Sequence, residues 1–184
     1  MKTGIFDLET SGLYANFGII LCCSIKEYGH KGIKTIRADQ FPSWNKDKTD
    51  QLLLITRIVN ELRQYDILVA HNGQYFDKQW VNTLSMKYGC EADIRWKKFI
   101  DPVLIARRHL RLGRNSLDQL LDYFEIPNKK SHVSGRVWIK ASLNGDKKAL
   151  DEIVSHCEED IRSLEGVYDK VRKLVEKIDN RGSA

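Results

Sequence analysis

A chain of 184 residues with 42% hydrophobic content can fill one core but not a second, which predicts a single domain over residues 1–180 and a frayed tail at 181–184. Its 30 Lys and Arg against 25 Asp and Glu leave a net charge of +5, compatible with a polyanionic partner but too small to require one. The longest apolar runs, such as residues 19–23, are too short for a bilayer, and Asp7 stands where a signal peptide needs apolar residues, so the expectation is a soluble, intracellular protein without a membrane partner.

Residues 2–8 read as a strand ending in acids, and residues 18–28 and 32–38 as two more strands around the turn Gly29-His30-Lys31-Gly32. Leu52, Leu53, Ile55, Ile58, Val59 and Leu62 fall at helical spacing within residues 49–65, and the apolar run at 66–70 suits a buried strand. A helix over 76–88 stops at Gly89; a fifth strand at 98–100 then precedes a helix start at Asp101-Pro102. Further helices are expected at 103–110, at 116–124 with Ser116 as cap, and at 147–156 continuing to 178. Residues 126–143, with Pro127, Ser131, Ser134 and Gly135 among several cations, read as an irregular polar loop. The whole pattern is that of an α/β domain: a mixed five-stranded sheet whose first three strands form an antiparallel meander, flanked by helices. Cys22, Cys23, Cys90 and Cys157 show no CxxC pair and no regular spacing, and read as reduced thiols.

Asp7 and Glu9 are two apart on a strand, so both carboxylates reach one face while Phe6 and Leu8 take the other. Two like charges at that distance repel; the pair either shares a proton or binds a hard cation such as Mg²⁺ or Mn²⁺. His71-Asn72-Gly73-Gln74-Tyr75-Phe76-Asp77 opens at the carboxyl end of the buried strand, the edge where α/β sheets bind ligands. Gly73 suits a sharp turn, and Asp77 falls in the first turn of the next helix, where a carboxylate is at home without any further role. His156 and Asp160 are four apart on one helical face, beside an apolar stripe through Ile153, Cys157, Ile161, Leu164, Tyr168 and Val171; Glu158 and Glu159 are expected to face solvent.

Residues 6–13, His71-Asn72-Gly73 through Phe76-Asp77, and His156 through Asp160 together resemble the three motifs of the DEDD superfamily of 3′→5′ exonucleases, whose fold is ribonuclease-H-like. The resemblance covers nearly the whole chain. It implies that Asp7, Glu9 and Asp160 hold one divalent cation, that Asp7 bridges to a second supported by Asp77, and that two Mg²⁺ or Mn²⁺ ions are the cofactors. It further implies substrate contacts for Thr10, Leu13, Asn72 and Phe76, where Leu13 and Phe76 are equally compatible with core positions. The third motif departs from the family: His156 stands at the spacing of the tyrosine-type subgroup, and Ser155 occupies the place of the other subgroup's histidine. An imidazole, titrating near 6.5 when free, is a better neutral-pH base than a phenol near 10, so His156 is the candidate general base.

Arg107, within the basic run 107–114, and Lys129 and Lys130, within the cations at 129–148, would steer a polyanion without reading its sequence. The expected activity is hydrolysis of phosphodiester bonds from the 3′ end of single-stranded DNA, with a separate polymerase or replication protein as a partner for any proofreading role. Two alternatives stay open: an exoribonuclease acting on short RNA, and a catalytically silent nucleic-acid-binding module. Intact carboxylates argue against the second, since binding alone gains nothing from negative charge where phosphates approach.

Overall fold

The structure, a computed structural model, describes residues 1–90, 98–127 and 132–179. Lys129, Lys130, Ser131 and the tail 181–184 lie outside the described residues.

Among the described residues, five strands form one sheet in the order β3-β2-β1-β4-β5. Strands β1 (Thr3–Thr10), β2 (Ile20–Glu27) and β3 (Ile33–Arg37) make the antiparallel meander; β4 (Ile67–Val69) and β5 (Lys98–Ile100) run parallel to β1. The mixed sheet is therefore as the sequence predicts. Central β1 is sorted by its alternation: Phe6 and Leu8 enter the larger core, whereas Ile5 joins a second cluster with Val69, Ile161, Leu164 and Tyr168. Asp7 and Glu9, in register with Ile5, thus lie on the side of the sheet that the C-terminal helix covers.

After the short helix α1 (Ser43–Lys46), which buries Trp44, helices α2 (Leu52–Leu62) and α3 (Asp77–Tyr88) supply the larger core with Leu54, Ile55, Ile58, Val59, Trp80, Val81 and Leu84. Helix α2 begins after Gln51, a buried residue whose amide accepts from Ile20 N and donates to Ile20 O, satisfying the β2 main chain where its pairing with β1 slips between Glu9 and Thr10. At the other end of α3, Gly89 takes the left-handed conformation at φ 65° and stops the helix.

On the opposite face, α4 (Pro102–His109) and α5 (Leu117–Tyr123) pack with α7 (Lys147–Asp179), burying Ala106, Leu120, Leu121, Val167 and Val171. Asp101 caps α4 by accepting from Val103 N at 3.0 Å, with Pro102 at the first position. Ser116 stands at the cap position of α5, yet its side chain makes no capping hydrogen bond. The helix predicted at 147–156 and its continuation are one element, started by Asp146, which accepts from Lys148 N and Ala149 N. Every residue of the predicted stripe is buried in α7.

Polar ties to β2 and β3 set the rotation of α7: Lys26 with Glu165 at 2.6 Å, Thr35 donating to Glu158 at 2.8 Å, and Arg37 with Asp151 at 2.5 Å. Glu158 consequently lies against the sheet and is not the solvent-facing residue that helical phase alone suggests. A second correction concerns residues 126–143. In place of an irregular loop, α6 (Gly135–Ile139) runs into a π-helical turn, Lys140–Asn144. Val133, Val137 and Ala141, four apart, pack with Trp138 on the larger core; the polar residues between them mask that periodicity in the sequence.

The turn between β4 and α3 also differs from expectation. Asn72, at φ 58°, adopts the left-handed conformation, not Gly73. What requires glycine at position 73 is space: an added Cβ would lie 2.4 Å from Ala70 Cβ and 3.0 Å from Phe99 Cζ. Gly73→Ala is expected to destabilise the protein by about 1–3 kcal/mol through overpacking, measured as a lower midpoint of urea unfolding.

Candidate active site

Three elements deliver acidic side chains to the carboxyl end of β1. Asp7 and Glu9 come from β1 itself, Asp77 from the first residue of α3, and Asp160 from α7. Ligand atoms of Asp7, Glu9 and Cys157 all lie within 4.8 Å of one another, a group able to hold a metal ion. Asp77 is buried and accepts from Leu8 N at 2.9 Å, which locks the start of α3 against β1 immediately beside Asp7 and Glu9. Asp160 stands with His156, whose Nε2 is 3.7 Å from Asp160 Oδ2 on the same face of α7.

The acids are close enough for their charges to act on one another. Burial pushes the Asp7 carboxyl well above the ordinary carboxylate range, and the charges of Glu9, Asp77 and Asp160 add to it. Burial, then Asp160 and Asp77, raises Glu9 to about 8. Burial raises Asp77 to about 7, against the lowering effect of the Leu8 N–H bond. Such a set is unfavourable in isolation and becomes favourable around a divalent cation, whose charge offsets the repulsion. The residues present therefore fit hard-cation binding: oxygen donors converge and are recessed, and no cationic side chain is paired with Asp7, Glu9 or Asp77 among the described residues.

Two concavities are lined by residues that follow Glu9 or precede Asp77 in the chain. A cleft of about 290 Å³ is lined by Leu13, Tyr14, Tyr75, Phe76 and Trp80, with Leu13 75% and Tyr75 57% exposed. Leu13 is thus presented on the surface rather than in the core, and Phe76 is partly buried against Trp80, with ring centroids 6.3 Å apart. The second, a cavity of about 580 Å³, is lined by His71, Asn72, Arg107, Arg114 and Asn115. Burial drives His71 down to about 4, with the Arg107 charge contributing, so its ring is neutral at physiological pH. Asn72 N donates to Asp101 Oδ1, and Gln74 N to Asp101 Oδ2, which fixes the turn that separates the cavity from Asp77.

The structure gathers Asp7, Glu9, Asp77, His156 and Asp160, and it sets Leu13 with Phe76 in one concavity and Asn72 with Arg107 in the other. Thr10 is engaged elsewhere: its hydroxyl donates to Gly12 O at 2.7 Å and shapes the loop after β1. Residues that sequence reasoning missed include Cys157, whose Sγ is 3.4 Å from Asp7 Oδ2, and the exposed aromatics Tyr14 and Tyr75. Cys157 fits the apolar stripe so well that its second neighbour, Asp7, is invisible in sequence. Tyr75 adjoins Phe76, and only the irregular backbone before α3 decides that Tyr75 is the more exposed of the two.

A mixed sheet with helices on both faces, carrying clustered carboxylates at the end of its central strand, defines a ribonuclease-H-like domain of the nuclease class. Residues 5–172 match the RNase_H superfamily, and the chain belongs to that family. Among proteins of known sequence it is 28% identical to the PolC-type DNA polymerase III of Ureaplasma parvum serovar 3, over 66% of this chain and 10% of that protein. Among solved structures it superposes on the family B DNA polymerase of Pyrobaculum calidifontis with a TM-score of 0.68 and 15% identity, covering 92% of this chain and 24% of the polymerase. The chain thus spans a small part of either relative's length. Membership, together with the acidic centre, supports nuclease chemistry in general, and divalent metals are typical of such nucleases. No helix among the described residues is long and apolar enough to cross a membrane.

The raised carboxyls make stability depend on pH with a definite sign. Between the ordinary glutamate value of 4.5 and about 8, folded Glu9 binds a proton that the unfolded chain has released, so metal-free stability falls as pH rises across that window. Asp7 and Asp77 act in the same direction. Glu9→Gln is expected to raise metal-free stability at pH 8 by at least about 1 kcal/mol, the worth of one pKa unit. Chemical denaturation at pH 5 and pH 8 checks both statements, and Mn²⁺ is expected to reverse the pH 8 loss in the wild-type chain.

Proposed function

We propose that this chain is a 3′→5′ exonuclease that hydrolyses the terminal phosphodiester bond of single-stranded DNA, with two divalent cations held by Asp7, Glu9, Asp77 and Asp160. The observation that carries the reading is the convergence of acids from three elements at the carboxyl end of β1: Asp7 and Glu9 with ligand atoms close enough to share an ion, Asp77 bonded to Leu8 N between them, and Asp160 on the helix that covers them. When bound, the cations would polarise the scissile phosphate and make an attacking water more acidic. Asp7, Glu9 and Asp160 would hold one ion in this scheme, and Asp77 would support the second.

The protein's own residues supply the rest. His156, beside Asp160 on α7, accepts the proton of the attacking water. Leu13, Tyr75 and Phe76 offer apolar and aromatic surface on which a terminal base stacks, sequence-independently. Arg107 and Arg114, in the cavity bordered by Asn72, attract the phosphates behind the chain end. DNA is favoured because the named relatives are DNA polymerases, and the same likeness motivates a polymerase as physical partner.

A single-stranded oligonucleotide labelled at its 3′ or its 5′ end, incubated with Mg²⁺ or Mn²⁺, tests polarity and metal need together. Rapid loss of the 3′ label, absent in Asp7→Ala and on chelation, is the expected result; binding without loss of nucleotides in either metal overturns the proposal. Faster decay of a matched RNA would instead select the exoribonuclease reading. His156→Ala is expected to lower kcat by roughly 10²–10⁴-fold with Mn²⁺ binding by calorimetry retained. Full activity in that variant would remove the base assignment.

A further inference from the structure

Mg²⁺ and Mn²⁺ prefer oxygen, so sulfur in the midst of their ligands contributes nothing to holding them. Here Cys157 Sγ lies 3.4 Å from Asp7 Oδ2 and 3.6 Å from the Asp7 carbonyl. Its sulfur and the carboxylate oxygens of Asp7 and Glu9 all fall within 4.8 Å of one another. A tetrahedral ion with bonds of about 2.0 Å to oxygen and about 2.3 Å to sulfur sets its ligand atoms roughly 3.3–3.8 Å apart, so modest side-chain movement would close this set. A second buried thiol is near: Cys22 pairs with Glu9 across the β1–β2 ladder. These side chains sit on β1, β2 and α7, whose mutual placement is fixed by the strand ladder and by the Lys26–Glu165 and Thr35–Glu158 ties.

We propose that the acidic centre has a second, thiophilic binding mode, in which Zn²⁺ or Cd²⁺ is held by Asp7, Glu9 and the sulfur of Cys157 and excludes hard cations from the same carboxylates. The proposal rests on reading these carboxylates as a metal centre, but not on the reaction carried out there. On binding, the S–H bond breaks, a sulfur–metal bond forms and the proton passes to water, while a water oxygen completes the fourth position. Zinc also stands above manganese in intrinsic affinity for such donors, so the thiophilic ion wins whenever both are present at similar concentration. Nucleolytic activity would then be suppressed by free zinc, and the suppression would be specified by one sulfur atom.

Cadmium reports sulfur ligation directly through an ultraviolet sulfur-to-metal charge-transfer band, read without nucleic acid or turnover. Titration of the wild-type chain with Cd²⁺ is expected to give this band, and Mn²⁺ in excess to suppress it by competition. Cys157→Ser is expected to abolish the band and to lower the ratio of Cd²⁺ to Mn²⁺ affinity at least tenfold; Asp7→Asn is expected to weaken the Cd²⁺ binding that gives rise to it by a similar factor. A band that persists in Cys157→Ser, ignores Asp7→Asn, or is indifferent to Mn²⁺ overturns the proposal. The competition experiment needs only the wild-type protein and stands even where a variant fails to fold. A band with Mn²⁺ competition but no loss of nucleotides in any metal would sink the nuclease reading alone, whereas nucleotide loss with no band would sink only the thiophilic mode.

Discussion

Negative charge is concentrated at the end of β1 to a degree that the fold must actively support. Burial opposes ionisation of Asp7, Glu9 and Asp77 alike, and the charges of neighbouring acids oppose it further at Asp7 and Glu9. The support comes from apolar packing on both faces of the strand that carries the pair: Phe6 and Leu8 on one side, Ile5 with Ile161, Leu164 and Tyr168 on the other. Donors from the main chain and from a thiol, Leu8 N to Asp77 and Cys157 Sγ to Asp7, hold two of the acids in place without neutralising them. A lysine in either position would cancel the charge that a divalent ion requires.

The surroundings of this centre are divided by chemistry. Apolar and aromatic side chains after β1 and before α3 line one concavity, and arginines from α4 and the segment leading to α5 line another. A nucleic acid offers the same division, with flat bases and charged phosphates, which is why stacking falls to one concavity and phosphate attraction to the other in the proposed function. The neutral state of His71 keeps the arginine-lined cavity free of a third, pH-dependent charge near neutrality.

Much of this was legible in the sequence, for identifiable reasons. Alternation along β1 and the four-residue spacing of His156 and Asp160 are local regularities, so they place the acids on definite faces before any tertiary contact is known. The buried stripe of α7 was readable for the same reason. What escaped were facts created by contact between distant segments. Glu158 is drawn to the sheet by Thr35, a residue 123 positions away in the chain. Gly73 is required by the proximity of Ala70 and Phe99 rather than by its own backbone angle, and Cys157 acquires its polar neighbour only when α7 crosses β1. The α6 segment was hidden differently, by polar residues interleaved with Val133, Val137 and Ala141.

Asp101 has a reach that its position as a helix cap does not suggest. Its carboxylate accepts from Asn72 N and Gln74 N as well as from Val103 N, joining the loop before α3 to the start of α4. The helix bearing Arg107 and the turn leading to Asp77 are therefore keyed to one side chain. A single carboxylate thus sets the spacing between the start of α4 and the loop before α3, so that removing it would release both segments at once.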